Sequence, residues 1–64
     1  MTISLRAYRV NKRLTIEQVA KQLEVSPNTV RNWELGTTKP KKIYVEALAK
    51  LYDVEPRHIF LASN

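Results

Sequence analysis

Asn28 and Asn32 stand four residues apart in a stretch that also holds Thr29 and Arg31. On a helix that spacing puts both amides on one face. Each amide offers a donor beside an acceptor, which matches the N6 and N7 edge that adenine presents in a major groove. A solvated helix face has the same appearance, so the spacing alone leaves both uses open. Lys39, Lys41 and Lys42 follow around Pro40, and such a run either meets phosphates or is simply hydrated. The whole chain carries 11 Lys and Arg against 6 Asp and Glu, a formal net charge of +5. That balance favours an acidic partner, either nucleic acid or an anionic membrane.

Other chemistries are poorly provided for. The chain has no Cys and a single His, His58, so there is no disulfide framework, no thiolate metal site and no zinc set. No paired carboxylates, activated nucleophile or Gly-rich phosphate loop stands out, which argues against an enzyme, a cofactor or a small-molecule ligand. A membrane span needs about 18 apolar residues in a row, and the chain offers no such stretch and no apolar leader. The expectation is a soluble cytoplasmic protein without a membrane partner.

The elements that must position these side chains read as helices throughout. Only one Gly and three Pro punctuate 64 residues, and no alternating strand pattern appears, so residues 1–64 are expected to form a single all-α domain. The first helix falls between Ile3 and Lys12, with Leu5, Tyr8 and Ile3 at helical spacing and Thr2 or Ser4 as its cap. Thr15 followed by Gln18 makes a capping box that opens the second helix; Val19, Ala20 and Leu23 turn inward there, while Glu17, Lys21 and Gln22 face water. Ser26 before Pro27 is the strongest local signal, a cap followed by a residue with no N–H to strand. The third helix therefore begins at Pro27, turns Val30 and Trp33 inward, leaves Asn28, Thr29, Arg31 and Asn32 as a polar face, and ends at Gly36. So short a join between the second and third helices forces a sharp crossing, the helix-turn-helix geometry. A fourth helix is expected from Lys41 or Ile43 to Tyr52 on Val45, Leu48, Ala49 and Tyr52, with Asp53 ending it. A closing helix from Pro56 to about Leu61 is expected to bury Ile59 and Phe60, and residues Ala62, Ser63 and Asn64 to fray.

The run from Leu14 to Gly36, with Val25-Ser26, Thr29-Val30, Trp33-Glu34 and Gly36 in register, resembles the helix-turn-helix of the Xre and Cro-type phage repressor family. Arg9, Pro40, Leu48-Ala49-Lys50 and Val54 are similar to the rest of that family's pattern, so the resemblance covers nearly the whole chain. It implies a compact five-helix, lambda-repressor-like domain. It places Ala20 where the second and third helices come closest, with Val19, Leu23, Val25, Val30 and Trp33 closing the inner surface. It places Asn28 and Asn32 at base-reading positions, and Pro27 at another, where its apolar ring suits a thymine methyl. Thr29 would meet a phosphate or a methyl group, or else make a local bond at the helix start. Arg31 would contact a base or a phosphate. Lys39, Lys41 and Lys42 would line the DNA backbone, with Lys42 near the minor groove; Arg6, Lys12 and Arg13 are weaker phosphate candidates. Arg9 and Glu34 match the family's Arg and Glu that tie the first helix to the end of the third. His58 is left as a surface residue of the last helix.

Three positions depart from the family. Arg13 and Glu24 stand where members usually have Gly, so either site is a candidate for positive φ. Ile16 stands where a Gln typically meets a phosphate, a contact that an aliphatic side chain does not make; the backbone N–H groups at the start of the second helix remain available to one. The function implied by the resemblance is sequence-specific binding of double-stranded DNA by a transcriptional regulator, a repressor from a phage or prophage setting. It would bind as a dimer on a two-fold operator, weakly associated in solution and coupled by DNA, with Leu35, Ile43, Pro56 or Arg57 at the contact. An antitoxin, or another protein-interaction module on the same fold, is the competing reading. A toxin-wrapping extension would be expected of it, and the sequence up to Asn64 supplies none.

Overall fold

A side chain or a proline sets the start of most helices in the computed structural model, which describes residues 3–63. The helices are α1 (Leu5–Asn11), α2 (Ile16–Leu23), α3 (Pro27–Leu35), α4 (Lys42–Tyr52) and α5 (Pro56–Ala62), and no strand occurs among the described residues. Ser4 caps α1 by accepting from the Ala7 amide at 3.1 Å; Thr2, the other candidate, lies outside the described residues. At α2 the capping box is closed on both sides. Thr15 Oγ1 accepts from the Gln18 amide at 3.1 Å, and the Gln18 side chain accepts from the Thr15 amide at 2.8 Å. Pro27 and Pro56 occupy the first turns of α3 and α5, where a missing N–H costs nothing.

The first four helices end alike. Arg13, Glu24, Gly36 and Asp53 all adopt the left-handed conformation, with φ of 57°, 58°, 81° and 58°. The following amide in each case reaches back five residues: Leu14 to the Arg9 carbonyl at 3.2 Å, Val25 to Ala20 at 3.0 Å, Thr37 to Asn32 at 3.0 Å and Val54 to Ala49 at 2.9 Å. This is the Schellman closure, which satisfies carbonyls that a helix end leaves open. Leu14, Val25 and Val54, the residues making those bonds after three of the turns, pack against the core. Only Gly36 adopts this conformation without a Cβ in the way.

Every helix contributes to the core, which consists of Leu5, Val19, Ala20, Val30, Trp33, Leu48, Ala49, Tyr52 and Ile59. α2 packs on α3, α4 on α5, and α1 and α4 brace the pair from α3 and α2 respectively. Of the inner surface expected for the helix-turn-helix, Val19, Ala20, Val30 and Trp33 are buried, while Leu23 and Val25 are half-buried against them. Two aromatic contacts join different helices. Tyr8 stacks on Tyr52 with ring centroids 6.2 Å apart, and Trp33 meets Tyr44 at 5.3 Å with the rings tilted by 41°.

Several expectations are corrected at the ends of the chain. Phe60 is 59% exposed rather than buried. The seven residues of α5 give it a single inward stripe, at Ile59 and Ala62 and continued by Ser63 just past its end, and Phe60 falls about 100° away from Ile59. Ala62 is helical, and Ser63 is buried rather than frayed, its amide donating to the Ile59 carbonyl at 3.0 Å and its hydroxyl to that of Phe60 at 3.1 Å. Asn64 lies outside the described residues. Ile3, placed inward by spacing, is exposed because α1 begins after it, and His58 is half-buried rather than a surface residue.

Candidate nucleic-acid interface

α3 has two faces with different contents. Val30 and Trp33 point into the core, and Glu34 is drawn to the side toward α1. Asn28, Arg31, Asn32 and Leu35 follow at i, i+3, i+4 and i+7, which is one stripe on the opposite side. Asn28, Arg31 and Leu35 are exposed and Asn32 is half-buried. Pro27 is exposed at the leading end. Thr29 is half-buried, and its hydroxyl shares a 2.9 Å hydrogen bond with that of Ser26, while its amide donates to Ser26 Oγ at 3.2 Å. The local bond at the helix start is therefore made, and it occupies one hydrogen-bonding direction of the Thr29 hydroxyl.

The inner side of α3 is fixed by one guanidinium. Arg9 Nε donates to Glu34 Oε2 at 2.6 Å, and a second Arg9 nitrogen donates to Oε1 at 3.1 Å, a fork that holds the carboxylate in plane. The third nitrogen donates to the Leu14 carbonyl at 3.0 Å. One side chain thus joins α1, the α1–α2 turn and the end of α3. Both partners are largely buried, 12% and 8% exposed at the side chain. The hydrogen bonding that Arg9 donates to Glu34 is the main reason that the Arg9 pKa is raised, with burial opposing it. Below the pair, burial pushes the Tyr52 hydroxyl up to about 12, the Glu34 charge adding to this and the Arg9 charge opposing it.

After α3 the chain turns at Gly36 and passes through Lys39, Pro40 and Lys41 into α4. Pro40 is buried and anchors the segment, while Lys39, Lys41 and Lys42 are exposed on either side of it. The loop therefore carries its cations outward from a fixed point, adjoining the polar stripe in sequence. Arg6, Lys12 and Arg13 are exposed on α1 and the turn after it. Ile16 at the start of α2 is half-buried and packed against the core, so it presents no polar group there. Among the described residues, no cluster of His, Cys, Asp or Glu could hold a metal ion. No helix among them is long and apolar enough to cross a membrane.

Some participants escape a sequence reading. The Leu14 carbonyl is a backbone group with no signature of its own. Tyr8 and Tyr52 read as ordinary core aromatics, and nothing in the sequence pairs them. Leu35 was expected only at a contact between protomers; counting three residues on from Asn32 would have placed it on the outward stripe as well.

Comparison with known proteins gives two matches. The profile of the helix-turn-helix family matches residues 5–59, from the start of α1 into α5. The cryptic phage CTXphi transcriptional repressor RstR of Vibrio cholerae is 44% identical over 50 residues, an alignment covering 78% of this chain and 45% of that protein. The chain thus matches less than half the length of this curated relative. No solved structure matches significantly.

Proposed function

Because the chain belongs to the helix-turn-helix family, in its Xre/Cro type, we propose that it is a sequence-specific double-stranded DNA-binding protein that represses transcription by occupying an operator. The single observation that supports this most is the division of α3. Its inner face is locked by Trp33, Val30 and the Arg9–Glu34 fork, and its outer face presents Asn28, Arg31 and Asn32 beside a loop of exposed lysines. A helix held this way enters a major groove as a rigid body with its leading residues toward the base edges. Lys39, Lys41 and Lys42 then neutralise phosphates beside it, which sets position and affinity without selecting sequence. No bond is made or broken in this role; the chain acts by occupancy.

Two chains bind a two-fold operator, with α3 of each in successive major grooves about 34 Å apart. Ile43, 70% exposed at the start of α4, lies open with Pro56 and Arg57 for the contact between protomers. Arg57 is held within its own chain by Glu55 at 2.7 Å. So little apolar surface gives a weak dimer in solution that DNA completes.

Binding to duplex DNA, followed by fluorescence anisotropy at rising salt, tests the reading. Each neutralised phosphate contributes about 0.9 to the slope of log affinity against log salt, so three loop lysines predict a slope of roughly −3 or steeper. Affinity that stays flat would remove DNA from the account. Footprinting that protects an isolated half-site with no two-fold partner would remove the dimer.

A further inference from the structure

Resting on the DNA-binding reading above, we infer that α3 reads an operator half-site whose core is made of A·T pairs, with adenines under Asn28 and Asn32 and a thymine methyl against Pro27. Several observations on α3 combine to give this. Among the described residues, neither amide side chain has an intramolecular hydrogen-bond partner, so each keeps its donor and acceptor for an outside edge. A donor beside an acceptor matches adenine N6 and N7. Cytosine offers the N4 donor, which an amide oxygen can take only by leaving its own N–H2 unpaired, so a carboxylate suits that base better. The only carboxylate of α3, Glu34, is turned to Arg9 and spent there. The Thr29 hydroxyl shares a 2.9 Å hydrogen bond with that of Ser26, so one of its directions is taken and it offers no bidentate match to a base edge.

Guanine presents two acceptors, N7 and O6, which an amide meets with its N–H2 while its oxygen stays unpaired; the matching two-donor reader on α3 is Arg31, the only cation of that helix. Depth argues against it. Asn is a short side chain, so contact through Asn28 and Asn32 requires the helix to sit close to the base edges. A guanidinium on the same stripe, several bonds longer, is then directed sideways to the groove wall, where the phosphates are. Arg31 therefore contributes affinity without base choice. Pro27, exposed at the leading end, brings only an apolar ring, which suits the 5-methyl of thymine.

The test selects duplexes bound by the full 64-residue chain from a pool with a randomised segment, then edits single atoms in the selected site. The expected core holds A·T pairs at the positions facing α3. Replacing a read adenine by 7-deazaadenine removes one acceptor and lowers wild-type affinity about threefold to tenfold. That loss disappears in Asn28→Ala at one adenine and in Asn32→Ala at the other. Replacing the thymine under Pro27 by uracil costs about threefold. Arg31→Ala weakens selected and random duplexes by the same factor. Invariant G·C pairs in the core, or loss of preference at one position in Arg31→Ala, would overturn the A·T assignment while salt-dependent duplex binding left the DNA reading standing. No binding to any duplex at low salt would remove both. Folding of each variant is verified by its unfolding transition, which substitution at these positions, all outside the buried core, should leave in place.

Discussion

Asn32 and Trp33 are neighbours in the chain, yet they belong to different regions of the molecule. Trp33 is 4% exposed and wedged against Tyr44, while Asn32 and the residues sharing its stripe look outward. The inner face of α3 is over-determined, with buried apolar contacts, a forked ion pair and a backbone carbonyl all fixing the same rigid body. The outer face is held by nothing except the helix that carries it. One face decides where the helix lies, and on the proposed DNA-binding reading the other decides what it touches, so stability and recognition should respond to different substitutions on the same nine residues.

The sharpest way to test this separation is Trp33→Ala. Truncating a buried tryptophan costs about 3–5 kcal/mol, comparable with the whole stability of a domain this small, at roughly 0.05–0.15 kcal/mol per residue. Loss of the cooperative unfolding transition by circular dichroism is expected, whereas Arg31→Ala should shift stability by no more than about 0.5 kcal/mol. Comparable costs for the two would break the comparison. Next comes Glu34→Gln, which keeps the shape of the fork but leaves Arg9 facing a neutral amide; about 1.5–3 kcal/mol is expected in denaturant titrations. If Arg9→Met combined with Glu34→Leu lost as much as the two single changes added together, the fork would not be acting as a unit.

Alkaline pH probes the same inner region. Tyr52 holds its proton up to about 12 in the folded chain against 10.0 in its ordinary state. The unfolded chain therefore releases that proton first as pH rises. The stability linked to Tyr52 is fully present below pH 10 and is lost on rising through about 12, amounting to about 3 kcal/mol at most. Tyr52→Phe should lack this component when its denaturation midpoints are compared with wild type between pH 9 and pH 12. The smallest effect concerns Glu24, whose left-handed φ of 58° costs up to about 1 kcal/mol relative to Gly. Glu24→Gly should raise the melting midpoint by a few degrees at most, since Gly also gains freedom when unfolded. A lower midpoint would show that this turn is not strained.

Much of the scaffold was legible because its signals are local. Ser26 with Pro27, Thr15 with Gln18, and Gly36 each mark a helix end through hydrogen bonds to residues three to five positions away, and all three lie where the sequence puts them. Phe60 was misread for the opposite reason. An apolar pair at the end of a chain has no periodicity to say which member faces inward, and the choice of Ile59 was made by packing against α4. The Arg9–Glu34 fork came from family resemblance, because nothing in a sequence marks two charges 25 positions apart as partners. The outward amides were legible as chemistry, but their exposure depends on how α3 docks on the rest.

That separation of 25 positions has a kinetic side. Most contacts in this chain join residues close in sequence, so they form without a large loop having to close, and helical domains of this kind fold fast. Joining Arg9 to Glu34 requires a closure that costs chain entropy before any contact rewards it. A fork that forms after the main barrier leaves the folding rate alone and governs unfolding instead. In stopped-flow measurements, Glu34→Gln should steepen escape from the native state while refolding keeps its wild-type rate. The fork then sets how long α3 stays seated once it has docked, and with that the lifetime of any complex that requires it in place.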